Sequence, residues 1–217
     1  MARLPDPLSL DLIIEYLQGC PLVIHFPVEK VMGLFLKDDQ YRNQFETGES
    51  RFGGSTGRRA VWETSMFGDA YAAAAPSVRP KYGAVNYDRD PLGDKRARDL
   101  YGEGHLVLQN VQDRVTYTCG DSAQLLQHKG ISKSGGARET IAFGVWMARI
   151  VAQLTAQDLK LLTRLASGTS PDGEVCLSIY LEFQIHGAVR FLEDVSKIVV
   201  PVCNKLWFPP HCPPPFA

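Results

Sequence analysis

Between Val175 and His186 the chain alternates. Val175, Leu177, Ile179, Leu181, Phe183 and Ile185 are apolar, and their neighbours are polar or small. A period of two predicts a strand. It also places Tyr180, Glu182, Gln184 and His186 on the face opposite the apolar side chains. A structural strand with one face in water shows the same alternation, so the pattern alone leaves a catalytic row and a solvated row both open.

Elsewhere the spacing changes. Apolar residues at Leu8, Leu10, Leu12, Ile13, Ile14 and Leu17 predict a helix ending near Gly19-Cys20-Pro21. The β-branched run Leu22 to Phe26, closed by Pro27, reads as a buried strand, and residues 28 to 36 as a second short helix. From Tyr41 to about Asp99 the chain is rich in Gly, Pro, Arg and aromatics, with a helix-like stretch at Ala60 to Ala74. This segment reads as a loop-built site, because long connections inside a domain are usually functional. His105 to Gln109 and Arg114 to Cys119 predict two strands, the second followed by the turn signal Gly120-Asp121-Ser122. Ile141 to Leu165 has helical spacing with a break allowed at Thr155 to Asp158, and residues 190 to 202 add a short helix and a strand.

Strands separated by irregular loops, with helices at the amino end and near 141 to 165, predict an α+β fold in one domain over residues 1 to 217, ending in a Pro-rich tail from 204. The sequence has no βαβ alternation, internal repeat, Walker phosphate loop or dinucleotide fingerprint. Gly53-Gly54 and Gly135-Gly136 are weak signals alone.

Composition narrows the function classes. The 217 residues include 23 Lys and Arg against 24 Asp and Glu, a formal charge of -1 that supplies no global field toward nucleic acid or anionic lipid. No apolar run approaches the roughly 20 residues needed to span a bilayer, and the first residues do not read as a cleaved secretory signal. The five cysteines lack a C-x-x-C pair, so reduced thiols are expected and no metal is assigned, His211-Cys212 included.

Several side chains suit ligand chemistry. Arg42 has the planar, permanently charged group that matches phosphate oxygens, with Glu46 placed to orient it. An Arg42 to Glu46 ion pair at helical spacing is the plainer alternative. Lys81-Tyr82-Gly83 offers a cation, a ring and a backbone open to close approach. Arg51, Arg58 and Arg59 form a further cationic cluster, of which Arg58 and Arg59 are expected to be solvated. Asp121 and Ser122 follow a strand end, where polar side chains often reach a site and also often only stabilise a turn. His186 is expected to be structural, and His25 is undecided.

Five strings occur together: Tyr41-Arg-Asn-Gln-Phe-Glu-Thr-Gly48, Trp62-Glu-Thr-Ser-Met-Phe-Gly68, Pro80-Lys-Tyr-Gly83, Cys119-Gly-Asp-Ser122 and Tyr180-Leu-Glu-Phe-Gln-Ile-His-Gly187. Over roughly residues 20 to 200 the chain resembles a bacterial family of formerly uncharacterised domains that includes the CteC-type effectors, which ADP-ribosylate ubiquitin on a threonine. The resemblance implies an ADP-ribosyltransferase-like β core, NAD as cosubstrate and ubiquitin as acceptor, with no nucleic-acid or membrane partner. It also implies a secreted effector acting in the host cytosol. It makes Glu182 the catalytic carboxylate, with Gln184 orienting the acceptor. Tyr41, Arg42, Gln44, Glu46, Lys81, Tyr82, Gly83, Asp121 and Ser122 become candidate NAD ligands. In many such enzymes a Gln or Glu lies two positions before the catalytic Glu, whereas Tyr180 stands there in this chain. Two other readings fit the same residues: an NAD glycohydrolase, in which water replaces the acceptor, and a noncatalytic module gripping a protein through its aromatic and Arg-rich loops.

Overall fold

A computed structural model describes residues 7–48, 56–122, 154–169, 176–178 and 180–201. In chain order the described elements are α1 (Pro7–Gln18), β1 (Leu22–Phe26), α2 (Val28–Phe35), β2 (Gln40–Tyr41), α3 (Gln44–Thr47) and α4 (Thr56–Phe67). They continue with β3 (Lys81–Val85), α5 (Lys95–Tyr101), β4 (Gly104–Leu108), β5 (Val115–Cys119), α6 (Ala156–Ala166), β6 (Leu181–Ile185), β7 (Val189–Arg190), α7 (Phe191–Asp194) and β8 (Val195–Val199). Six strands form one antiparallel sheet in the order β5-β6-β3-β1-β4-β8, and β2 pairs with β7 apart from it. The chain is thus a mixed helix and sheet domain of the α+β class.

Strand alternation gives the sheet two unlike faces. Leu22, Ile24 and Phe26 of β1, Leu106 and Leu108 of β4, and Leu181, Phe183 and Ile185 of β6 join one buried apolar cluster with Ile13 and Leu17 of α1 and Leu161 and Leu162 of α6. The opposite face carries His25, His105, Tyr82, Ala84, Thr116, Thr118, Glu182 and Gln184. There Val23 and Ala84 pack with Ala97 and Tyr101 of α5 and with Tyr180.

The polar row on β6 is therefore not a solvated row. β6 is flanked by β3 and β5, so Glu182 lies between Ala84 and Thr118, and Gln184 between Tyr82 and Thr116. Both Glu182 and Gln184 are buried.

Three expectations need correction. The strand expected over Val175 to His186 is confined to β6, because upstream backbone groups are claimed elsewhere. Leu177 N donates to the Tyr87 hydroxyl at 3.1 Å, and Ser178 N to Asp158 Oδ1 at 2.7 Å; residues 175 and 179 lie outside the described set. Lys81-Tyr82-Gly83, expected in a loop, begins strand β3, and glycine in a strand masked the signal. A Cβ on Gly83 would collide with the Phe183 ring and the Val23 carbonyl, so glycine lets the neighbouring strand's ring cross there. The segment from 41 to 99 also contains α5, opened by Asp94 accepting from Ala97 N at 2.7 Å.

The helix expected over 60 to 74 runs from Thr56 to Phe67 and tightens into a 3-10 turn at Gly68–Tyr71. The break allowed at Thr155 to Asp158 is the amino end of α6, closed by a reciprocal capping box between those two residues. Residues 141–153, the Gly53-Gly54 and Gly135-Gly136 pairs, Arg51, and the tail from 204 lie outside the described residues. Among the described residues no helix is long and apolar enough to cross a membrane.

Candidate functional site

A cleft of about 530 Å³ opens on the polar side of the sheet, a volume typical of small-molecule sites. It is walled by α2, the turn into α3, α4 and α5. Of the residues singled out from sequence, Tyr41, Arg42, Gln44, Lys81, Tyr82, Gly83, Asp121, Ser122 and Glu182 all line it. They come from four separate stretches of chain, three of them brought together by the pairing of β3, β6 and β5. Glu46 and Gln184 do not line the cleft and act through neighbours instead.

Glu182 is 3% exposed. Its Oε1 accepts from Gln184 Nε2 at 2.8 Å and from Thr118 Oγ1 at 3.3 Å, and its Oε2 from Ser122 N at 3.4 Å. Burial raises its pKa to about 7, and the negative charge of Asp121 pushes the same way; the Ser122 amide, Arg59 and Gln184 oppose the rise. The donors and the cation favour the ionised form and hold back the rise that burial drives. Ser122 Oγ and the Tyr82 hydroxyl are both buried without a hydrogen-bond partner beside it. Such orphaned groups at a cleft are ready to meet a ligand.

Arg42 is already engaged. Its Nε and Nη2 donate to the two oxygens of Asp38 at 2.8 and 2.6 Å, and its Nη1 to Glu46 Oε1 at 3.3 Å. Glu46 also accepts from Asn43 N at 3.0 Å, completing the capping box that starts α3. The ion-pair reading of Arg42 and Glu46 is thus realised, with Asp38 as a second partner. Lys81 is buried too, donating to the carbonyls of Ser77 at 2.5 Å and Gly187 at 2.8 Å, and burial lowers its pKa to about 8. It ties the start of β3 to two loops.

The cation that faces Glu182 is Arg59, which was expected in solvent. Its guanidinium lies 4.3 Å from the Tyr82 ring centroid and 4.9 Å from that of Trp62. It lines the cleft and has no carboxylate ion pair among the described residues. Glu63, on the same helix, is 1% exposed; its Oε2 accepts from Arg79 at 2.5 Å and its Oε1 has no partner. The spacing of Arg59, Trp62 and Glu63, three and four residues apart on one helix face, was the signal available in sequence.

His25 donates Nδ1–H to the Gly102 carbonyl at 2.9 Å, so its Nε2 is unprotonated and has no partner. Burial holds its pKa down at about 4, with His105 ring-to-ring at 5.1 Å adding to the effect. His186 sits between Tyr71 and Thr116 in a hydrogen-bonded chain that leads to Gln184. Among the described residues no group of three or more His, Cys, Asp or Glu side chains is placed to hold a metal ion.

The fold and cleft define an α+β protein with a buried, hydrogen-bonded carboxylate on an interior strand, and a guanidinium held against two aromatic rings in the same cleft. The chain belongs to the family described as "Protein of unknown function (DUF3626)", whose family model matches residues 24–205. It is also similar to the Gene 2 protein of Mycobacterium phage D29, at 28% identity over 172 residues. That alignment covers 78% of this chain and 61% of the relative's length.

Proposed function

We propose that the chain is a mono-ADP-ribosyltransferase that moves ADP-ribose from NAD to a protein hydroxyl, with a threonine of ubiquitin as the acceptor that the CteC-like resemblance implies. The observation that carries this reading is the placement of Glu182: a water-poor carboxylate on the cleft floor, oriented by Gln184, Thr118 and the Ser122 amide.

Cleaving the bond between nicotinamide and ribose builds positive charge on the ribose ring, as glycoside cleavage does. A fixed carboxylate in a low-dielectric site stabilises that charge strongly, because its orientation cost is met in the folded state. The cationic nicotinamide and the oxocarbenium that follows also favour the ionised form of Glu182. Arg59 suits the pyrophosphate, and the rings of Tyr82, Trp62 and Tyr101 in the cleft wall suit stacking on nicotinamide or adenine. The acceptor hydroxyl then attacks the anomeric carbon as nicotinamide leaves with the bonding pair, and its proton passes to solvent or to a base near Glu182.

The test is incubation with NAD and ubiquitin followed by intact-mass analysis, with Glu182→Gln alongside. A mass gain of one ADP-ribose that the variant abolishes supports the assignment. Nicotinamide release without any labelled protein makes the chain a glycohydrolase. Neither release nor labelling, with any protein acceptor, removes the NAD reading and favours the noncatalytic module.

A further inference from the structure

We propose that His186 is a positioning residue for Glu182, acting through Thr116 and Gln184; this rests on Glu182 being the catalytic carboxylate. The side chains form one continuous hydrogen-bonded line whose direction is fixed.

The argument starts at the buried amide. Gln184 is fully buried, and its two N–H groups donate to Glu182 Oε1 at 2.8 Å and to Thr118 Oγ1 at 3.1 Å. Reversing the amide would set its carbonyl oxygen against the carboxylate, so the ionised form of Glu182, the form that stabilises an oxocarbenium, holds the orientation. Gln184 Oε1 therefore faces Thr116, whose single hydroxyl hydrogen goes to it at 3.2 Å. Having given that hydrogen, Thr116 Oγ1 must accept from His186 Nε2, 2.9 Å away. The ring is then protonated on Nε2, and Nδ1 accepts from the Tyr71 hydroxyl at 2.5 Å. Every hydrogen along Tyr71, His186, Thr116 and Gln184 points toward Glu182.

An amide does not pass protons readily, so the line orients rather than relays. Its far end is anchored by packing: the His186 ring lies nearly parallel to that of Tyr71, 11° between planes and 6.0 Å between centroids, and meets Phe67 edge-on at 5.2 Å. Phe67 ends α4, the helix that carries Arg59, Trp62 and Glu63 into the cleft, and Tyr71 lies in the 3-10 turn that follows it. One structural unit thus sets both the cationic wall and the angle of the carboxylate. Buried polar networks rigidify when every member is satisfied, and this one is.

The test uses the full chain and three variants. His186→Leu removes the donor, His186→Gln restores an N–H near the Nε2 position, and Thr116→Val cuts the line while keeping side-chain shape. Two readouts are taken: hydrogen exchange of the Gln184 side-chain amide by NMR, and kcat and KM for NAD cleavage. For His186→Leu and Thr116→Val we expect amide exchange faster by about tenfold and kcat lower by about tenfold with KM little changed, since misaligned catalytic groups lose rate before binding. His186→Gln is expected to stay near wild type in both. Unchanged exchange in His186→Leu and Thr116→Val overturns the proposal, as does unchanged kcat in folded variants. If the wild-type chain does not cleave NAD, the catalytic reading fails while amide exchange still decides whether His186 orients Gln184 and Glu182.

Discussion

Arg59 rests its guanidinium 4.3 Å from the ring centroid of Tyr82, and its charge opposes the rise in pKa that burial gives both Tyr82 and Glu182. A guanidinium held against aromatic rings keeps its donors in plane for an anion and loses little freedom on binding one. Arg42, by contrast, already gives three donors to Asp38 and Glu46.

The two arginines should therefore separate on substitution. Arg59→Ala is expected to raise KM for NAD by about ten- to a hundredfold, the worth of a charge-assisted bidentate contact. Arg59→Lys should recover only part of it, because an ammonium neither forks nor stacks in the same way. Arg42→Ala should stay within about threefold, as its loss removes an exposed ion pair. Calorimetric titration with ADP-ribose gives the same comparison without turnover, and equal losses for Arg42 and Arg59 would return the phosphate to Arg42.

Glu182 carries a cost in stability as well as a role. Its folded pKa of about 7 lies above the ordinary carboxylate value, so between those two values the folded state holds a proton that the unfolded state has released. Stability accordingly falls as pH rises through that window. Glu182→Gln removes the charge and should make the protein more stable at pH 8 by about 1 to 3 kcal/mol, with the gain fading toward pH 4. Urea denaturation across that range measures it. A variant less stable than wild type at pH 8 would mean the donors around Glu182 outweigh its desolvation.

The β6 strand was legible because its message is local: period-two alternation put Glu182 and Gln184 on one face, and they share it. The β1 run was legible for the same reason. What the sequence hid was decided across the sheet. β3 reads as part of a loop because Gly83 lacks the side chain that marks a strand, and the reason is the Phe183 ring on the neighbouring strand. In one dimension Arg42 reads as the phosphate ligand and Arg59 as solvated; only the folded arrangement gives Asp38 and Glu46 to the first and two aromatic rings to the second. The burial of the polar row followed from α5 and Tyr180 packing on that face of the sheet, a fact of tertiary arrangement rather than of composition.

Gly83→Ala tests that crossing directly. The added methyl would meet both a ring and a backbone carbonyl, and a carbonyl in a central strand pair has little room to move. Overpacking of this kind is expected to cost about 1 to 3 kcal/mol or more. Because Gly83 also lines the cleft beside Glu182, NAD turnover should fall in the same variant. Pairing Gly83→Ala with Phe183→Leu should return part of the stability, as the smaller side chain vacates the contact. Thermal denaturation of the two single variants and the double variant gives the coupling; strictly additive losses would show that the ring is not what excludes a side chain.

His25 should give the pH profile a slope opposite to that of Glu182. Burial depresses its folded pKa to about 4, and His105 is lowered in the same direction by burial. A histidine so depressed stays neutral in the folded state while the unfolded chain takes up a proton below its ordinary value. Stability is therefore lost as pH falls through that interval. Over the same interval Glu182 makes the protein less stable as pH rises, so the two terms partly cancel in the wild type. Glu182→Gln should unmask a rise in stability from pH 4 to 6.5. His25→Asn, whose side-chain N–H can still reach the Gly102 carbonyl, should unmask a fall from about pH 4.5 to 7. Chemical denaturation of both variants at half-unit pH steps separates the terms, and parallel profiles would assign the acid behaviour to neither group.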